Sequence, residues 1–594
     1  MRIEVGPGIF LWVIVALYAA AGALYSVSVP LFEAPDEAYH YPVIWNIARS
    51  GSLPTLHPGI PTLWEQEASQ PPLYYGIASL LTGWINTDDL SEVRQLNPFR
   101  KIGLINQPDN KNMVIHSPLE RWPWKGTVLA VHLARLLNVT MGAAVITGAG
   151  FFAKELAPTN RWAAPLAAAL LSFNPMFLLV TGAVNNDGLV SALSAWALVF
   201  GARALRRGFS GGTVVGLALC AGLAPAAKAS GLIILGVALA AGALHSVQNR
   251  SWRAGLLTAC GVLGVWIVST GWWYLRNMQL YGEPLATSAH IAVIGARTNP
   301  IDWLLEARNV WVTYWGLFGQ ANVLGPAYLY PAAGLLGAGG LVGLVGWLRR
   351  RLVEHDPMAI SVAGIAVLQF ILAVAAVGLW TSQTYGSHGR LLYPAATAIS
   401  GLMAVGLLAW LPERAHGLLT ASISVLMLAT ALTTLFMHIL PTYKPPAVIP
   451  AVPDGEQKIR ATADQALEIV AIQADTGIPE DGQGPNVTVY LRAIRPLASG
   501  GTLLITAVAG DAVVGSLRTY PGGGLLPTDH MEPGVIYTDH YKVPLKPGAL
   551  QPIALEIRVG WLDETNRTIR LERFVTDQQA SVEALVLDLT GEAR

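Results

Sequence analysis

Residues 9–29 read IFLWVIVALYAAAGALYSVSV, an unbroken apolar run without a charged side chain. A helix needs about 20 such residues to cross the hydrocarbon core of a bilayer. Arg2 precedes the run, and no clear small-residue cleavage site follows it. The pattern therefore predicts a retained first membrane span and not a signal peptide.

Comparable apolar runs recur along the chain. Of 594 residues, 53% are hydrophobic and only 13% are charged, against about 25% charged residues in an average soluble domain. The long run 212–244 counts as two helices, because Pro225 breaks helical hydrogen bonding and Lys228 is costly inside a membrane. We predict a polytopic α-helical membrane protein of about eleven spans, at 9–29, 127–152, 162–181, 189–204, 212–244 (two), 254–275, 327–347, 358–380, 392–411 and 417–440.

The overall charge excludes some classes of partner and cofactor. Lys plus Arg equals Asp plus Glu at 38 each, so there is no basic field and we expect no nucleic-acid partner. Cys220 and Cys260 both lie in apolar runs, which argues against a disulfide framework or a cysteine-ligated zinc cluster. We expect two inert thiols.

The position of the charges predicts the orientation in the cell membrane. Basic residues in the short loops and ends fall on one side of the eleven-span arrangement, which is then the cytoplasmic side with the N-terminus. The opposite, extracytoplasmic side receives the segments 30–126 and 276–326 and the region from 441 onward. The basic residues are Arg2, Lys154, Arg161, Arg203, Arg206, Arg207, Arg250, Arg253, Arg349, Arg350, Arg351 and Arg414.

The C-terminal region changes character. Its first part, from Tyr443 to Pro453, is rich in proline, which is typical of a linker. Beyond it, NVTVYLRAI, TLLITAVA, IALEIRV and VEALVLDL alternate apolar and polar residues, and PGGGLLP separates two of them. This pattern predicts a soluble all-β domain, with a sandwich as the first expectation. We predict a transmembrane domain at 1–440, a linker at 441–464 and an extracytoplasmic β-rich domain at 465–594.

The segment after the first span carries an acidic pair. Residues 31–54 read LFEAPDEAYHYPVIWNIARSGSLP, which predicts a short helix that begins near Pro35 and ends near Gly51. Asp36 and Glu37 in its first turn could simply complement the helix dipole. They also lie immediately beyond a membrane span, where a lipid headgroup and a water-borne molecule meet. A carboxylate there can act as a general base.

Residues 64–85 read WEQEASQPPLYYGIASLLTGWI. The apolar part is short and aromatic, which predicts an amphipathic helix in the membrane interface that starts at the two prolines. Tyr74, Tyr75 and Trp84 fit an interfacial aromatic belt. Gln70, Tyr74 and Tyr75 are the residues that we expect at the acceptor or interface side of a site.

Polar residues at the predicted outer ends of spans are the other candidates. Asp187 stands in the NNDG motif, where it either ends a solvated turn or takes part in a site. Cations there either snorkel to the headgroups or bind an anion, and Arg135 either meets a phosphate or pairs with an external acid. His40 could orient Asp36 or bind a metal ion. The candidate anion-binding residues are Lys228, Arg276, Arg390, His388 and Arg135.

The order of these motifs resembles the type C superfamily of integral membrane glycosyltransferases. The match begins with Asp-Glu after the first span, SGSLP and QPPLYY, and continues with LARLL, NPMFLLVTGAVNNDGL, APAAKASGL and GWWYLRNMQLYGEPL. It covers roughly residues 10–400, and protein O-mannosyltransferases and lipid A aminoarabinose transferases are the most similar in pattern. Ser69 and Gln70 depart from the latter pattern, which has an acidic residue and a lysine before the proline.

The resemblance implies an inverting transfer of a sugar from a polyprenyl-phosphate donor to an extracytoplasmic protein, lipid or polysaccharide. Asp36 would then be the general base and Glu37 would orient its neighbours or the acceptor. The five candidate anion-binding residues would hold the donor phosphate. Asp187 and His40 would hold the donor or a divalent metal ion, and the reaction could be metal-assisted or metal-independent.

Two other classes of protein compete with this interpretation. A lipid or sugar transporter predicts two similar halves with broken helices near the midplane, and the sequence shows no such symmetry. A noncatalytic membrane protein could bind glycans with its C-terminal domain. The Asp-Glu pair and the cations at one membrane face favour the enzyme over both.

Overall fold

The computed structural model describes residues 6–105, 109–453, 457–463, 466–474, 484–497, 500–509, 511–546, 556–563 and 571–572. The helices of these residues run as follows: α1 Pro7–Ser28, α2 Glu37–Ser50, α3 Leu73–Thr82, α4 Leu90–Val93, α5 Gly126–Leu156, α6 Ala163–Ser172, α7 Pro175–Thr181, α8 Asp187–Arg207, α9 Gly211–Ala227, α10 Leu232–Gln248, α11 Trp252–Tyr281, α12 Thr287–Ile294, α13 Trp303–Trp315, α14 Leu329–Val353, α15 Pro357–Gln383, α16 Ala396–Leu408, α17 Glu413–Thr434 and α18 Leu440–Thr442.

All eleven predicted apolar runs are helical. Within the described residues, nine helical segments are long and apolar enough to cross a membrane, and the bent pair α6–α7, with an angle of 72°, raises the number to ten. The eleventh run forms the shorter α9. A break at Lys228 separates α9 from α10, as Pro225 predicts. The chain is therefore a polytopic helical membrane protein.

Small residues let the spanning helices approach closely. Gly340 and Gly343 of α14 face Gly406 of α16, and a methyl group added to Gly406 would lie 2.9 Å from the backbone nitrogen of Leu344. Backbones that touch in this way gain van der Waals contact that larger side chains would prevent. The core of the bundle lies between α1, α5 to α8 and α16.

The short segments between α1 and α5 form one end of the bundle. The predicted helix after the first span is α2, and Gly51 ends it with a φ of 65°, in the left-handed region that glycine adopts at little cost. The segment 64–85 is a 3₁₀ turn, Glu65–Ser69, followed by α3 after the two prolines. We call this end of the bundle the loop end.

The C-terminal region is built of antiparallel strands. The strands of the described residues are β1 Gln95–Leu96, β2 Val114–Ile115, β3 Leu317–Phe318, β4 Val323–Leu324, β5 Ala447–Ile449, β6 Gln457–Ala463, β7 Leu467–Ala474, β8 Asn486–Ala493, β9 Gly501–Ala509, β10 Ala512–Thr519, β11 Ile536–Lys542, β12 Glu556–Asp563 and β13 Leu571–Glu572. One sheet has the order β13-β6-β7-β8-β11-β5 and a second has the order β10-β9-β12.

The two sheets share one hydrophobic core, to which Leu491 of β8, Ile505 of β9 and Trp561 of β12 contribute. This arrangement is the sandwich predicted from the alternating pattern. The sheet begins inside the segment predicted as a linker, because β5 pairs with β11 there. The predicted strand VEALVLDL lies outside the described residues.

The sandwich packs on the loop end of the bundle. The Asn97 side chain donates to the Gly523 carbonyl (3.2 Å), and His116 donates its backbone N–H to the Gly524 carbonyl (2.8 Å). Asn110 donates to the Arg518 carbonyl at 3.0 Å. Gly522 to Gly524 all have positive φ, so this turn approaches the loop in a conformation that other residues rarely adopt.

We expect Gly406→Ala to destabilise the bundle by about 1–3 kcal/mol, because the added methyl group pushes α14 and α16 apart. The measurement is the thermal midpoint of the full chain in nanodiscs. Gly346→Ala is the matched control, because Gly346 lies in α14, the helix that Gly406 faces, and nothing lies within 4 Å of a methyl group added there. A Gly406→Ala midpoint equal to that of Gly346→Ala would contradict the close packing.

Candidate active site

Two neighbouring acids lie at the start of α2, and their side chains have different surroundings. Asp36 is the N-cap and Glu37 is the first residue of the helix. The Glu37 carboxylate is completely buried and accepts hydrogen bonds from the backbone N–H groups of Phe32 (2.9 Å) and Val184 (2.8 Å). It also pairs with Arg135, whose Nε lies 2.7 Å and Nη2 2.5 Å away. Glu37 therefore holds the chain around α2 and is not available to a substrate.

The remaining N–H groups of Arg135 donate to backbone carbonyls. It donates to Ser26 and Val29 at 2.7 Å each and to Pro30 at 2.9 Å, and it is fully buried. Of the two roles that the sequence left open for Arg135, the structure supports the pairing with an acid. The expectation that Arg135 contacts the donor phosphate is corrected, because its guanidinium has neither free donors nor access.

Asp36 occupies the N-cap of α2 with a φ of 59°, in the left-handed region. This conformation costs a non-glycine residue roughly 1–3 kcal/mol, so it persists only where the surroundings impose it. The Asp36 side chain is 30% exposed. Arg390 donates to its Oδ2, and Gln66 reaches its Oδ1 at 3.5 Å.

A second ion pair adjoins the first. Lys228, at the break between α9 and α10, donates to Asp187 Oδ1 at 2.6 Å. Arg390 Nη1 lies 3.8 Å from Asp187 Oδ2, so it bridges Asp187 and Asp36. Two acids and two cations from four distant stretches of sequence thus meet at the loop end. Among the described residues, Arg390 Nε and Asp187 Oδ2 are buried without a hydrogen-bond partner.

His40 and Glu67 lie on the other side of Asp36. The His40 Nδ1 is 2.7 Å from the Tyr75 hydroxyl and 3.2 Å from Glu67 Oε2. One side-chain atom from each of Asp36, His40 and Glu67 lies within 4.8 Å of the others, so the three could together hold a metal ion. Glu67 Oε2 is buried and accepts no hydrogen bond from any residue that the structure describes. A carboxylate oxygen and an imidazole are suitable ligands for a divalent cation such as Zn²⁺ or Mn²⁺.

The surroundings set the protonation of these groups. Burial is the largest single influence on Asp36 and opposes its ionisation, but the charge and hydrogen bond of Arg390, together with the neighbouring histidines, hold the pKa of Asp36 well below its usual range. Burial and the Asp36 charge raise the pKa of Glu67 to about 8. Burial lowers the pKa of His40 to about 3. Burial, together with the Arg390 charge, lowers the pKa of His388 to about 4.

Gln70 and Arg276, two other residues predicted for the site, bind groups around this cluster. Asn186 donates to the Gln70 side chain at 3.1 Å and to the Ala227 carbonyl at 3.0 Å, so Gln70 is linked to the break that carries Lys228. Arg276 donates to the carbonyls of Leu53 (3.2 Å) and Pro54 (2.8 Å). Arg276 therefore ties α11 to the loop end and makes no ion pair among the described residues.

The predicted aromatic belt is corrected for two of its members. Tyr74 and Tyr75 are fully buried, whereas Trp84 is 72% exposed. Both tyrosines pack in the core formed by α2, α3 and α5. Tyr75 contacts the candidate site through His40, near the place that we expected for it together with Gln70 and Tyr74.

Sequence reasoning missed Glu67, Ser69 and His290. Ser69 Oγ lies 2.7 Å from His290 Nδ1 and joins the 3₁₀ turn to α12. Glu67 belongs to the same turn. The acids of this turn stand in a polar stretch, where a charged residue carries no signal. Only their position just before the two prolines could have drawn attention to them.

A buried acid fixes the chain just before Asp36. Glu33 accepts from the backbone N–H of Met113 at 2.7 Å and contacts His116 Nε2 at 3.1 Å, while His116 Nδ1 lies 2.7 Å from Glu120. Burial alone would lower the pKa of His116, but Glu120 and Glu33 raise it to about 10. Burial raises the pKa of Glu33. The imidazolium thus bridges two carboxylates beside the turn that touches the sandwich.

No protein-family model and no curated protein matches the chain. Solved structures similar to it include ArnT from Cupriavidus metallidurans bound to undecaprenyl phosphate, with 15% identity, 73% of each chain covered and a TM-score of 0.39. The Archaeoglobus fulgidus oligosaccharyltransferase has 14% identity over 73% of this chain and 55% of that one, with a TM-score of 0.40. Arabinosyltransferase EmbB from Mycobacterium smegmatis has 11% identity over 90% and 64%, with a TM-score of 0.35.

Two of these proteins are named as sugar transferases, an oligosaccharyltransferase and an arabinosyltransferase. Identities of 15% or less and TM-scores below 0.5 transfer no substrate and no residue role.

We expect the pH dependence of stability to report the His116 bridge. A histidine whose folded pKa is raised stabilises the fold fully below its unfolded pKa of about 6.5, and this contribution is lost as the pH rises toward about 10. The thermal midpoint of the full chain should fall between pH 7 and pH 10, and His116→Gln should flatten this part of the curve.

His57→Gln is the matched control, since His57 is exposed in the same segment. It should keep the wild-type pH dependence. A His116→Gln curve parallel to the wild type would contradict the bridge.

Proposed function

We propose that the chain is a membrane glycosyltransferase that moves a sugar from a polyprenyl-phosphate donor to an acceptor hydroxyl, with Asp36 as general base. One observation carries the proposal. A partly exposed carboxylate, Asp36, lies in one cluster with two cations, Lys228 and Arg390, at the end of an apolar helical bundle. A lipid-linked phosphate and a water-borne hydroxyl can both reach such a place.

The cations suit the leaving phosphate. Lys228 offers three N–H donors, of which Asp187 accepts one, and Arg390 Nε has no partner among the described residues. Planar guanidinium and ammonium groups are the usual partners of phosphate oxygens in proteins. Asp187 then has a positioning role, because it holds both cations at one point. Positive charge at this point stabilises the negative charge that develops on the leaving oxygen.

In the reaction, the acceptor oxygen attacks the anomeric carbon, and the bond between that carbon and the phosphate oxygen breaks. The electron pair of the broken bond leaves on the polyprenyl phosphate, and the hydroxyl proton passes to Asp36. Attack from the face opposite the phosphate inverts the anomeric centre. A phosphate needs no proton to leave, so one carboxylate is sufficient, in contrast to the two carboxylates of glycosidases.

The geometry of Asp36 suits the role of base. Its carboxylate stays ionised because Arg390 helps to hold its pKa low, and the side chain remains 30% exposed. A strongly lowered pKa makes a carboxylate a weaker base in the ground state. An incoming phosphate competes for Arg390, which would free the carboxylate when the donor is bound.

Asp36, His40 and Glu67 would be the residues that hold a divalent metal ion in this enzyme. Glu67 Oε2, which has no hydrogen-bond partner among the described residues, could bind such an ion. His40 is neutral, which is the form of imidazole that binds metals. When bound, the ion would supply positive charge to a donor phosphate or sugar oxygen. The chain's own residues account for donor binding and proton transfer without it.

We place the loop end and the sandwich outside the cytoplasmic membrane. The arginines at the ends of α8 and α14 lie at the opposite end of the bundle from the site, as the positive-inside rule predicts for a cytoplasmic face. On this arrangement the donor reaches Asp36 from the outer leaflet. The acceptor enters from the sandwich side.

We expect Asp36→Asn to lower transfer by about 10²- to 10⁴-fold, because asparagine keeps the shape of the side chain and cannot take the proton. The measurement is the transfer of radiolabelled sugar from a panel of polyprenyl-phosphate sugars to endogenous membrane acceptors, with the full chain in nanodiscs. Asp88→Asn is the matched control, an acid on the surface of the same segment that pairs with Arg49.

Equal transfer by Asp36→Asn and the wild type would remove Asp36 from the mechanism. No transfer by the wild type with any donor, together with retained donor binding, would instead support a noncatalytic binding protein.

We expect Lys228→Gln to weaken donor binding at least about tenfold, since a charge-assisted hydrogen bond to phosphate contributes roughly 1.5–3 kcal/mol. The measurement is the dissociation constant of the polyprenyl phosphate in nanodiscs. Lys125→Gln, at an exposed lysine just before α5, should bind as the wild type does. An unchanged dissociation constant for Lys228→Gln would place the phosphate elsewhere.

A further inference from the structure

Two arginines, Arg94 and Arg100, lie near each other at the loop end. Arg94 is the residue that ends α4, and Arg100 follows β1. Among the residues that the structure describes, neither forms an ion pair with a carboxylate. Arg94 is only 7% exposed, and Arg100 is half-buried.

The contacts of both arginines are with neutral groups. Arg94 donates to the carbonyls of Ala38 (2.5 Å) and Leu63 (2.8 Å), and its guanidinium lies 5.5 Å from the centre of the Tyr39 ring. Arg100 donates to the Asn97 carbonyl at 3.0 Å. The charges of Arg100 and Arg94 oppose the rise that burial causes in the pKa of Tyr39, so both guanidinium groups lie near this tyrosine.

Arg100 has a donor left over. Its Nε is buried and has no hydrogen-bond partner in the part of the chain that the structure describes. Glu65 is the carboxylate that faces this cluster, but it lies beyond ion-pair distance from both arginines and accepts from the Thr62 backbone N–H at 3.3 Å. Removing guanidinium charges from water without a counter-charge is costly. An anion that enters the cluster would recover part of that cost.

The cluster lies at the start of α2, close to Asp36 in the chain. Tyr39 is in the first turn of α2, three residues after the N-cap Asp36, and its N–H donates to the Asp36 carbonyl at 2.9 Å. Gln66, the neighbour of Glu65, reaches Asp36 Oδ1, whereas Arg390 occupies Oδ2. Arg94 is thus hydrogen-bonded, through the Ala38 carbonyl, to the first turn of the helix that Asp36 caps.

We propose that Arg94, Arg100 and Tyr39 form a binding site for an oxyanion, a phosphate or carboxylate, that the acceptor carries close to its reacting hydroxyl. The proposal rests on the proposed function, because it assigns the chemical class of the acceptor. The guanidinium groups bind the oxyanion and so orient the acceptor oxygen toward Asp36. Neutral acceptors would lack this contact and bind more weakly.

The test uses inorganic phosphate as the probe, with the full chain in phosphatidylcholine nanodiscs and no donor present. The rise in thermal midpoint with phosphate concentration gives the dissociation constant. We expect Arg100→Gln to raise it at least about tenfold, and Arg100→Lys, which keeps the charge and loses the planar fork, to have a smaller effect. Arg121→Gln is the matched control, an exposed arginine of the same segment.

A phosphate response of Arg100→Gln equal to that of the wild type would overturn the proposal, and so would a response that Lys228→Gln alone removes. Replacing phosphatidylcholine by phosphatidylglycerol separates two sources of the anion. If the anionic lipid saturates the site and abolishes the phosphate response, the occupant is a headgroup and not an acceptor.

A separate measurement tests whether the bound oxyanion belongs to the acceptor. We expect the apparent KM for solubilised membrane acceptors to rise at least about tenfold in Arg100→Gln, with donor binding equal to that of the wild type. An unchanged KM would overturn the assignment, while transfer by the wild type would leave the proposed function intact.

Discussion

The buried pair of Glu37 and Arg135 is the interaction on which the site depends. It joins the end of α1, the start of α2, the body of α5 and the turn before α8 through hydrogen bonds between buried groups. Breaking such a pair by removing one partner costs about 3–5 kcal/mol, because the other charge stays buried and unpaired. This pair therefore fixes where α2 begins.

The start of α2 in turn decides what Asp36 can do. Glu37 is anchored in the core. Asp36 is therefore held at the N-cap of α2 in a left-handed conformation, and its carboxylate lies outside the surroundings of Glu37. The two neighbouring carboxylates thus have different roles. That of Glu37 is structural, and that of Asp36 is exposed to ligands. The same logic applies to Asp187, whose buried carboxylate holds Lys228 and Arg390 together.

The sequence predicted the structure best at residues whose type is unusual among their neighbours in the chain. Lys228 and Arg390 stood out because a cation next to an apolar run is costly, and the alternation of NVTVYLRAI identified a strand because half of its side chains are buried. Glu67 and Arg100 gave no such signal, because a charged residue in a polar loop is ordinary. Arg135 was visible, but only the fold shows that its partner is Glu37.

The sandwich completes a chain of contacts that ends at the site. Its glycine turn contacts the segment around β2, and the same segment donates backbone N–H groups to Glu33, three residues before Asp36. Glu33 needs those donors and the His116 charge because it is buried. A displacement of the sandwich would expose or unpair Glu33, which is energetically costly. The C-terminal region is for this reason coupled to the position of Asp36, although none of its described residues forms a hydrogen bond or ion pair with the Asp36 side chain.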